Sequence, residues 1–407
     1  MKKYIPIAEM LWFQEGPGVR NTQYTSSGVK LLNVANLVDG VLDITNTDRY
    51  ISEDEAYNRY KHFLVDDGDL IIASSGIKVE YFDKKMGFAK KEQLPLCMNT
   101  STIRFKVLNK EQVSIRYFMY YLKSEHFKEQ LNHQITGSAQ LNFGPSHLKK
   151  MLFPIVEMET QQQIVRKLDV LHGIENRLRQ ELSLLDQLVK SRFIELFGDP
   201  VSNSMGLPTE PMTTVCAIID GDRGKNYPKQ DEFSDTGYCL FLNAKNVTAT
   251  GFSFENRMFI TKEKDKALHN GKLERGDVVL TTRGTLGNLA FYDDSVTFKN
   301  VRINSGMVIL RMKKSVMTEV FFMEQFKLQL QSIKGKIASG SAQPQLPIST
   351  MNKIRILLAP MALQEQFAAF VEQTDKSKYY SSLSFRYCQA AENAYRQEWI
   401  TCRTSDF

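Results

Sequence analysis

The stretch TGSAQLNF, residues 136–143, has a counterpart in SGSAQPQL, residues 339–346. The four letters GSAQ are identical, and Gly137 stands in the position of Gly340, an offset of 203 residues (340 minus 137). A single echo of four residues in a chain of 407 can arise by chance. The fold therefore depends on whether the correspondence continues on both sides of this stretch.

The correspondence continues in both directions. LLNVANL (residues 31–37) parallels FLNAKNV (241–247), and DDGDLIIASSG (66–76) parallels ERGDVVLTTRG (274–284). The offset drifts from 210 to 208 and then to 203 along the chain. Such drift is expected when surface loops between matched elements differ in length. These ordered echoes predict two copies of one unit of roughly 200 residues, a period far too long for a solenoid.

The overall composition indicates a globular protein. Hydrophobic residues make up 42% of the chain and charged residues 24%, which excludes wholesale disorder. The five cysteines form no CxxC pair, so we expect reduced thiols and neither a zinc site nor a disulfide framework. The first residues lack the apolar core of a signal peptide, and no apolar run is long enough to span a bilayer. We therefore expect a cytoplasmic protein without membrane contact.

Positive charge is concentrated in two blocks. Residues 1–156 hold 20 Lys and Arg against 17 Asp and Glu, a net charge of +3, and residues 201–358 hold 21 against 15, a net charge of +6. The stretches 157–200 and 359–407 carry −2 and −1. Two basic blocks fit two surfaces that contact a polyanion, because Lys and Arg neutralise phosphates. An excess of three charges in the first block is also compatible with ordinary variation.

The stretch 157–200 has the pattern of a long helix. Steps of four and three residues from Ile164 to Leu196 meet apolar side chains at eight of ten positions, and Glu175 and Arg192 are the exceptions. Such a seam over more than four heptads is typical of a coiled coil. A helix from about residue 160 to 197 would be about 60 Å long. Since it cannot bury the seam by itself, it needs a partner helix.

The stretch 359–407 is the predicted partner helix. No glycine follows Gly340 and no proline follows Pro360, which permits an uninterrupted helix. The equivalent seam from Phe367 to Trp399 is patchier and more aromatic. We expect this helix to pair antiparallel with the central one, because a whole domain connects them. A homodimeric coiled coil is the alternative.

The two blocks before these helices have the pattern of α/β (α+β) domains. Short β-rich runs are bounded by Gly, Asp and Asn, and helical patches come late in each block. The predicted architecture has domain 1 in residues 1–156, a central helix in 157–200, domain 2 in 201–358 and a C-terminal helix in 359–407. The two domains are homologous, and the two helices form an antiparallel coiled coil.

The sequence contains no persuasive catalytic motif. Neither Gly271-Lys272 nor Gly335-Lys336 has the flanking residues of a Walker loop. No Pro-Pro pair occurs, although an amino-methyltransferase would need one in the loop that holds the flipped base. EYFDKK (residues 80–85) imitates a carboxylate-plus-lysine nuclease site, but such fragments are common in basic loops. We predict that the chain catalyses nothing by itself, and a single-chain nuclease remains an alternative.

Together these features resemble the specificity (S) subunit of type I restriction–modification systems. The resemblance rests on the paired GSAQ segments, the links MLFPIVEMETQQQIV and IRILLAPMALQEQFA, and KSRFIELFGDP at the end of the first helix. GDLIIASSG and GDVVLTTRG, together with CMNTSTIRF and RINSGMVIL, add to it. The resemblance covers essentially the whole chain. It rests on the order and duplication of these segments more than on any single one.

The resemblance implies a DNA sequence-specificity role. Each block would be a target recognition domain that reads one half of a split target in double-stranded DNA, and the helices would set the spacing. The helices would also dock two modification subunits, which bind S-adenosylmethionine and methylate adenine at N6, and two restriction subunits would add ATP- and Mg-dependent cleavage. This chain would hold no cofactor and no metal. A coiled-coil scaffold for other proteins, without DNA readout, is the alternative.

Candidate DNA-contacting residues lie in loops near the glycine-bearing turns. Base edges in the major groove are read by Arg, Lys, Asn, Gln and Ser, while further basic side chains hold phosphates. A solvated loop charge is the alternative for each one. The candidates in the first domain are Arg20, Ser75, Lys78, Lys84, Lys85, Lys90 and Lys91. Those in the second are Arg223, Lys225, Asn226, Tyr227, Lys229, Arg283, Lys299 and Arg302.

The glutamines that begin the two long helices are candidates for docking. Gln161 and Gln163 stand at the same offset from Gln364 and Gln366. Their repetition suggests that they place each domain against the helices, near the modification subunits. Polar residues at a helix start, with no further role, are the alternative.

Overall fold

A computed structural model describes residues 3–134, 142–338 and 345–401. The GSAQ segments, residues 137–140 and 340–343, lie outside these ranges. The chain forms two compact units: Met1–Arg179 with Leu383–Phe407, and Gln180–Ser382. We call them unit 1 and unit 2. Each contains one of the predicted domains and a part of both long helices.

The first domain, in unit 1, contains eleven strands among its described residues and leads into a long helix. Its strands are β1 (Lys3–Pro6), β2 (Leu11–Glu15), β3 (Val29–Leu32), β4 (Leu37–Val38), β5 (Val41–Leu42), β6 (Tyr50–Ile51), β7 (Leu70–Ala73), β8 (Met86–Phe88), β9 (Leu96–Met98), β10 (Thr102–Val107) and β11 (Leu152–Ile155). Its helices are α1 (Ile7–Met10), α2 (Ile115–Leu122), α3 (Glu125–Gln134), α4 (Pro145–Leu148) and the long α5 (Met158–Phe197).

The second domain, in unit 2, repeats this series. Its strands are β12 (Thr209–Pro211), β13 (Cys216–Asp220), β14 (Cys239–Leu242), β15 (Val247–Thr248), β16 (Gly251–Phe252), β17 (Phe259–Ile260), β18 (Asp277–Thr281), β19 (Leu289–Tyr292), β20 (Val301–Ile303), β21 (Met307–Met312) and β22 (Arg355–Leu357). Its helices are α6 (Met212–Val215), α7 (Lys262–Ala267), α8 (Glu319–Ala338), α9 (Ile348–Met351) and the long α10 (Met361–Thr401).

Strand connectivity confirms the predicted duplication. A four-stranded sheet has the order β2-β10-β7-β8 in unit 1 and β13-β21-β18-β19 in unit 2. A three-stranded sheet, β6-β3-β9 or β17-β14-β20, contains one parallel pair in each unit. The two-stranded pairs β1-β11 and β4-β5 recur as β12-β22 and β15-β16. The mixture of sheets and late helices is the expected α+β fold.

The repeated Gly-Asp sequence marks a buried electrostatic support in each domain. Asp69 in unit 1 is buried, and its carboxylate accepts the backbone N–H of Asp66 at 3.0 Å and lies 3.5 Å from the Lys106 ammonium. In unit 2, Asp277 accepts from the N–H of Glu274 at 2.7 Å and pairs with Arg311 at 2.8 Å. A buried carboxylate requires such partners. The two echoing motifs therefore have the same physical role.

The second asparagine of each repeated segment, Asn36 or Asn246, stabilises the same turn in both domains. Asn36 and Asn246 are both buried, and each side-chain Oδ1 accepts a backbone N–H three residues earlier at 2.9 Å. Each side-chain Nδ2 donates to the carbonyl seven residues later, at 2.9 Å and 3.0 Å respectively. Because a buried amide must satisfy its donors and acceptor, both asparagines hold the turn in the same way.

Within unit 1, α5 and α10 pack side by side and run antiparallel. The Cys388 thiol lies 3.4 Å from the Leu171 carbonyl, and the Lys167 ammonium lies 4.9 Å from the ring centroid of Tyr395. Residue numbers on α10 therefore rise as those on α5 fall. Ile164, Val165 and Leu168 from α5 belong to the main core of the first domain, which continues onto the helix pair.

Within unit 2, the helix pair has the same sense. The Lys378 ammonium lies 2.9 Å from the Asp186 carboxylate. The rings of Phe193 and Phe197 pack on Phe367, with centroids 5.5 Å and 5.6 Å apart. Both also contact Phe321 of α8, so the helix pair again continues the domain core.

The predicted seam on α5 lies inward along its whole length, since its ten positions are buried or half-buried. The patchier seam on α10 follows the same rule from Phe367 to Tyr395, even where it carries Thr374, Ser381 or Glu392. Small and polar side chains are therefore tolerated inside this helix pair.

The cysteines of the described residues are unpaired and buried. Burial raises the pKa of Cys97, Cys216 and Cys239 to about 12 in each case. Among the described helices, none is both long and apolar enough to cross a bilayer.

A close backbone approach fixes the start of one loop in each domain. An added Cβ on Gly16 would lie 2.0 Å from the carbonyl oxygen of Asn99, and one on Gly221 would lie 2.2 Å from that of Asn304. Only glycine fits at such a distance. These contacts precede the loops that carry Arg20 and Arg223.

We expect Gly16→Ala to reduce the free energy of unfolding by about 2 kcal/mol or more, because strand or loop must shift to relieve the overlap. Gly18→Ala is the matched control, since open space surrounds that position. The measurement is urea denaturation of the full chain. Gly221→Ala and Gly224→Ala provide the same comparison in unit 2. Equal stability of Gly16→Ala and Gly18→Ala would contradict the packing described.

Candidate nucleic-acid interface

In each domain, the loop after the Gly-Asp strand pairs with the segment that follows the GSAQ sequence. Ser75 forms an isolated β-bridge with Asn142, and Arg283 forms the equivalent bridge with Gln345. The neighbouring N–H of Phe143 donates to the Ser74 carbonyl at 3.0 Å. The segments whose repetition revealed the duplication therefore lead directly to the candidate recognition loops.

A cleft in unit 1 brings together several predicted residues. It has a volume of about 360 Å³, and Lys78, Lys84 and Lys85 line it together with Tyr81. Lys78 and Lys84 are exposed. Basic side chains on a cleft rim provide the charge that a nucleic-acid backbone requires.

Lys85, which lines the cleft, and Ser75, which directly precedes the cleft residue Gly76, are both partly engaged. The Lys85 ammonium donates to the Leu37 carbonyl at 2.7 Å, and the Ser75 hydroxyl donates to that of Ser101 at 2.6 Å. The Lys84 ammonium lies 4.0 Å from the Asp39 carboxylate, and both side chains are well exposed. Lys78 and Lys84 are thus the more available cations of the cleft.

The remaining predicted residues of the first domain lie outside this cleft. Lys90 and Lys91 are exposed beyond strand β8, at the start of a 3₁₀ turn (Lys91–Gln93). Arg20 is exposed on a different loop, which the Arg20 N–H stabilises by donating to the Gln23 side chain at 3.0 Å.

A different cleft in unit 2, beside the bridge between Arg283 and Gln345, contains two arginines. Arg223 and Arg283 line a cavity of about 250 Å³ with Asp220, Thr282 and Gln345. Both arginines are exposed. The Arg223 guanidinium is 3.0 Å from the Asp220 carboxylate and 3.2 Å from the Ser305 carbonyl.

This arrangement orients one arginine and leaves the other open. A carboxylate that holds Arg223 reduces the rotamer freedom which the side chain would lose on binding. For Arg283, no side-chain hydrogen bond or ion pair is present within the described residues. A guanidinium presents a planar fork of donors that matches the O6 and N7 acceptors of guanine.

The loop 222–229 is anchored by its own polar groups. The Asn226 side chain donates to the Ala267 carbonyl at 3.0 Å, and the Tyr227 ring packs on Phe241 with centroids 5.7 Å apart. Lys225 and Lys229 are exposed. In this structure Asn226 and Tyr227 hold the loop, and the two lysines are its available charges.

The prediction for Arg302 requires correction. Arg302 lies inside strand β20 with 4% exposure, and its guanidinium pairs with buried Asp265 at 2.6 Å. It also donates to the carbonyls of Leu268 and Asn270. Burial alone would raise the pKa of Asp265, but hydrogen bonds from Lys272 and Arg302 lower it overall. Arg302 is a core cation and no nucleic-acid contact, whereas Lys299 is exposed.

The first glutamine of each pair is fully buried and joins its domain to its helix. The Gln161 side chain accepts the Ser114 N–H at 2.9 Å and donates to the carbonyls of Gln112 and Val156, each at 2.8 Å. These atoms belong to the start of α2 and to the link before α5. One side chain therefore satisfies three backbone groups.

Gln364 makes the same set of contacts in unit 2. It accepts from the Thr318 N–H at 2.9 Å and donates to the carbonyls of Val316 and Ala359 at 3.1 Å and 2.9 Å. Gln163 and Gln366, by contrast, are exposed and take no part in this junction.

Two further residues of the clefts were missed by sequence analysis. Tyr81 is 50% exposed at the unit 1 cleft. Its sequence signal is the EYFDKK stretch (residues 80–85), in which the tyrosine stands beside two lysines. Asp220 orients Arg223. The sequence feature that could have identified it is an acidic residue three positions before an arginine.

The fold and clefts define a class: a duplicated two-domain binding protein with a paired-helix core and a basic cleft in each domain. The family model of the type I restriction modification DNA specificity domain matches residues 23–184 and again residues 213–379. These ranges make up most of the chain, one in each repeat. The chain belongs to this family.

One curated relative is the type I restriction enzyme MjaVIII specificity subunit of Methanocaldococcus jannaschii. The two are 23% identical over 190 residues, 46% of this chain and 43% of the relative. The match thus spans less than half of that relative's length.

Two solved structures share the fold at 15% identity. One is the type I restriction–modification S subunit from M. genitalium, with a TM-score of 0.56 over 99% of this chain and 97% of that chain. The other comes from work on complex assembly and conformational transition of a type I restriction–modification system, with a TM-score of 0.50 over 98% and 97%. The fold predicted from the repeats is therefore confirmed.

We expect Gln161→Leu to lower the free energy of unfolding by about 2–4 kcal/mol, because buried backbone groups at the junction lose their partner. Gln163→Leu, on the exposed face of the same helix turn, should change it by less than about 0.5 kcal/mol. Urea denaturation of the full chain measures both. Similar stability of the two variants would show that the buried amide is unimportant for the junction.

Proposed function

We propose that this protein is the DNA sequence-specificity subunit of a type I restriction–modification complex. Each domain would read one half of a split target in double-stranded DNA, and the paired helices would fix the separation of the half-sites. Two rigidly held domains can meet the same face of B-DNA only at a set phase. The chain would work in the cytoplasm, where the DNA is.

The observation that carries this proposal is the pair of equivalent loops after the two Gly-Asp strands, which present different side chains. Ser75 in unit 1 and Arg283 in unit 2 hold the same place in the fold, each bridged to the segment after GSAQ. The cleft beside the first loop offers lysines and a tyrosine, and the cleft beside the second loop offers two arginines. Equivalent positions with different donors are what two unlike half-sites would require.

Partners would supply the chemistry. We propose that the helix pair docks two modification subunits, which bind S-adenosylmethionine and methylate adenine at N6. Two restriction subunits, using ATP and Mg, would complete a cleaving complex. The chain itself would remain non-catalytic and would position the partners on DNA. The exposed Gln163 and Gln366 stay candidates for contact with these subunits.

Methylation mapping tests the proposed function. The chain is co-expressed with a modification subunit from the same organism in a methylation-free host, and N6-methyladenine is located by sequencing. We expect a split motif, two short half-sites around a fixed unspecified spacer. Absence of any motif, with both proteins associated, would favour the scaffold. DNA cleavage by the isolated chain with a divalent metal would favour a nuclease.

Arg283→Ala should reduce methylation at target sites by about tenfold or more, because one good bidentate base contact contributes about 1–3 kcal/mol of discrimination. Arg283→Lys keeps the charge but loses the planar fork. We expect it to retain DNA affinity while relaxing one base pair of a single half-site. Methylation mapping of both variants measures this, and the other half-site is the internal control. Wild-type maps from both variants would remove Arg283 from the interface.

A further inference from the structure

A cluster of potential metal ligands, with two buried carboxylates and a more accessible imidazole, lies between α5 and α10 inside unit 1. His172 and Glu175 are three residues apart on α5, so they share one face of the helix. Glu392 comes from α10. The imidazole nitrogen and the two carboxylate oxygens lie within 4.8 Å of one another. They line a cavity of about 270 Å³.

Glu175 is the anomalous member of this cluster. Its exposure is 8%, and it occupies a position of the predicted seam where the other α5 residues are mostly apolar. Within the described residues, its carboxylate forms no hydrogen bond and no ion pair within 4 Å. A buried carboxylate without a close partner is costly. Glu175 is therefore a carboxylate that a bound cation would stabilise.

Glu392 retains the capacity to bind a second group. It is 6% exposed, and one of its oxygens accepts from the Arg396 guanidinium. The other carboxylate oxygen has no hydrogen-bond donor among the described residues. Nearby, the Arg396 Nε is buried without a hydrogen-bond partner, and the buried Asp83 Oδ1 has the Lys128 ammonium 3.7 Å away.

We propose that His172, Glu175 and Glu392 bind a divalent first-row transition-metal ion. One imidazole and two carboxylates suit ions such as Mn²⁺ or Zn²⁺ better than Mg²⁺, which favours oxygen ligands and bound water. The ion would neutralise two adjacent carboxylates and link α5 to α10 within unit 1. The cavity has room for water molecules to complete the coordination shell.

Neighbouring cations limit the affinity of this site. Lys84, Lys123, Arg179 and Arg396 line the same cavity, balanced by Asp39, Asp83, Glu175 and Glu392. The cavity therefore has no strong net negative field, and the ligand set alone must select the ion. Arg396 competes directly for Glu392, so its removal should strengthen metal binding.

Manganese titration of the full, tag-free, chelator-treated chain tests the site, because Mn²⁺ has little affinity for the cysteine thiols. Electron paramagnetic resonance follows the loss of the free Mn²⁺ signal. We expect one saturable site per chain, competition by Zn²⁺, little competition by Mg²⁺, and a higher thermal midpoint with metal. His172→Gln, Glu175→Gln and Glu392→Gln should each weaken affinity by about tenfold or more.

Matched controls separate binding from folding. Glu159→Gln on α5 and Glu365→Gln on α10 remove exposed carboxylates of the same helices, and should leave the affinity unchanged. Arg396→Gln should tighten binding, a gain that misfolding cannot produce. The proposal is overturned if the wild-type chain shows no saturable Mn²⁺ binding, if control and cluster variants behave alike, or if Mg²⁺ displaces Mn²⁺ equally well.

Discussion

The apolar heptad seam of α5 must be covered by other elements, and the arrangement of each unit depends on this requirement. A single helix cannot cover its own apolar stripe, and in both units α10 and the domain core cover it together. Hydrophobic burial draws the elements together but is not directional. The buried amides of Gln161 and Gln364 supply direction, since each satisfies three backbone groups at one relative position of domain and helix.

The two domains show how one framework presents different chemistry. Buried carboxylates after the repeated glycine and buried asparagines before it keep the strands in equivalent places. At the rim, where packing imposes fewer demands, Ser75 is replaced by Arg283. Residues that hold the fold echo each other, whereas residues offered to a ligand diverge. This contrast identified the candidate interface more firmly than charge alone.

Sequence patterns predicted the framework better than the interface. Repeats and heptad spacing can be recognised from the order of residues along the chain. The repeated sheets and the two long helices confirm the predictions made from them. If the seam register is extended by one step of three residues before Ile164, it reaches Gln161. The heptad pattern therefore also predicts which glutamine of the pair is buried. Arg302 was misassigned because its partner Asp265 lies 37 residues away, in a segment without an echo. The His172, Glu175 and Glu392 cluster joins helices more than 200 residues apart, which no spacing rule detects.

The division of the chain between the units affects the order in which they can form during synthesis. Unit 2 is one continuous segment, Gln180–Ser382, whereas unit 1 combines Met1–Arg179 with Leu383–Phe407. The ribosome releases everything that unit 2 needs before it releases the last part of unit 1. The first domain to leave the ribosome is therefore the last to be completed. Until then its half of the α5 seam, from Ile164 onwards, lacks its covering helix, and transiently exposed apolar surface of this kind favours aggregation or capture by a chaperone.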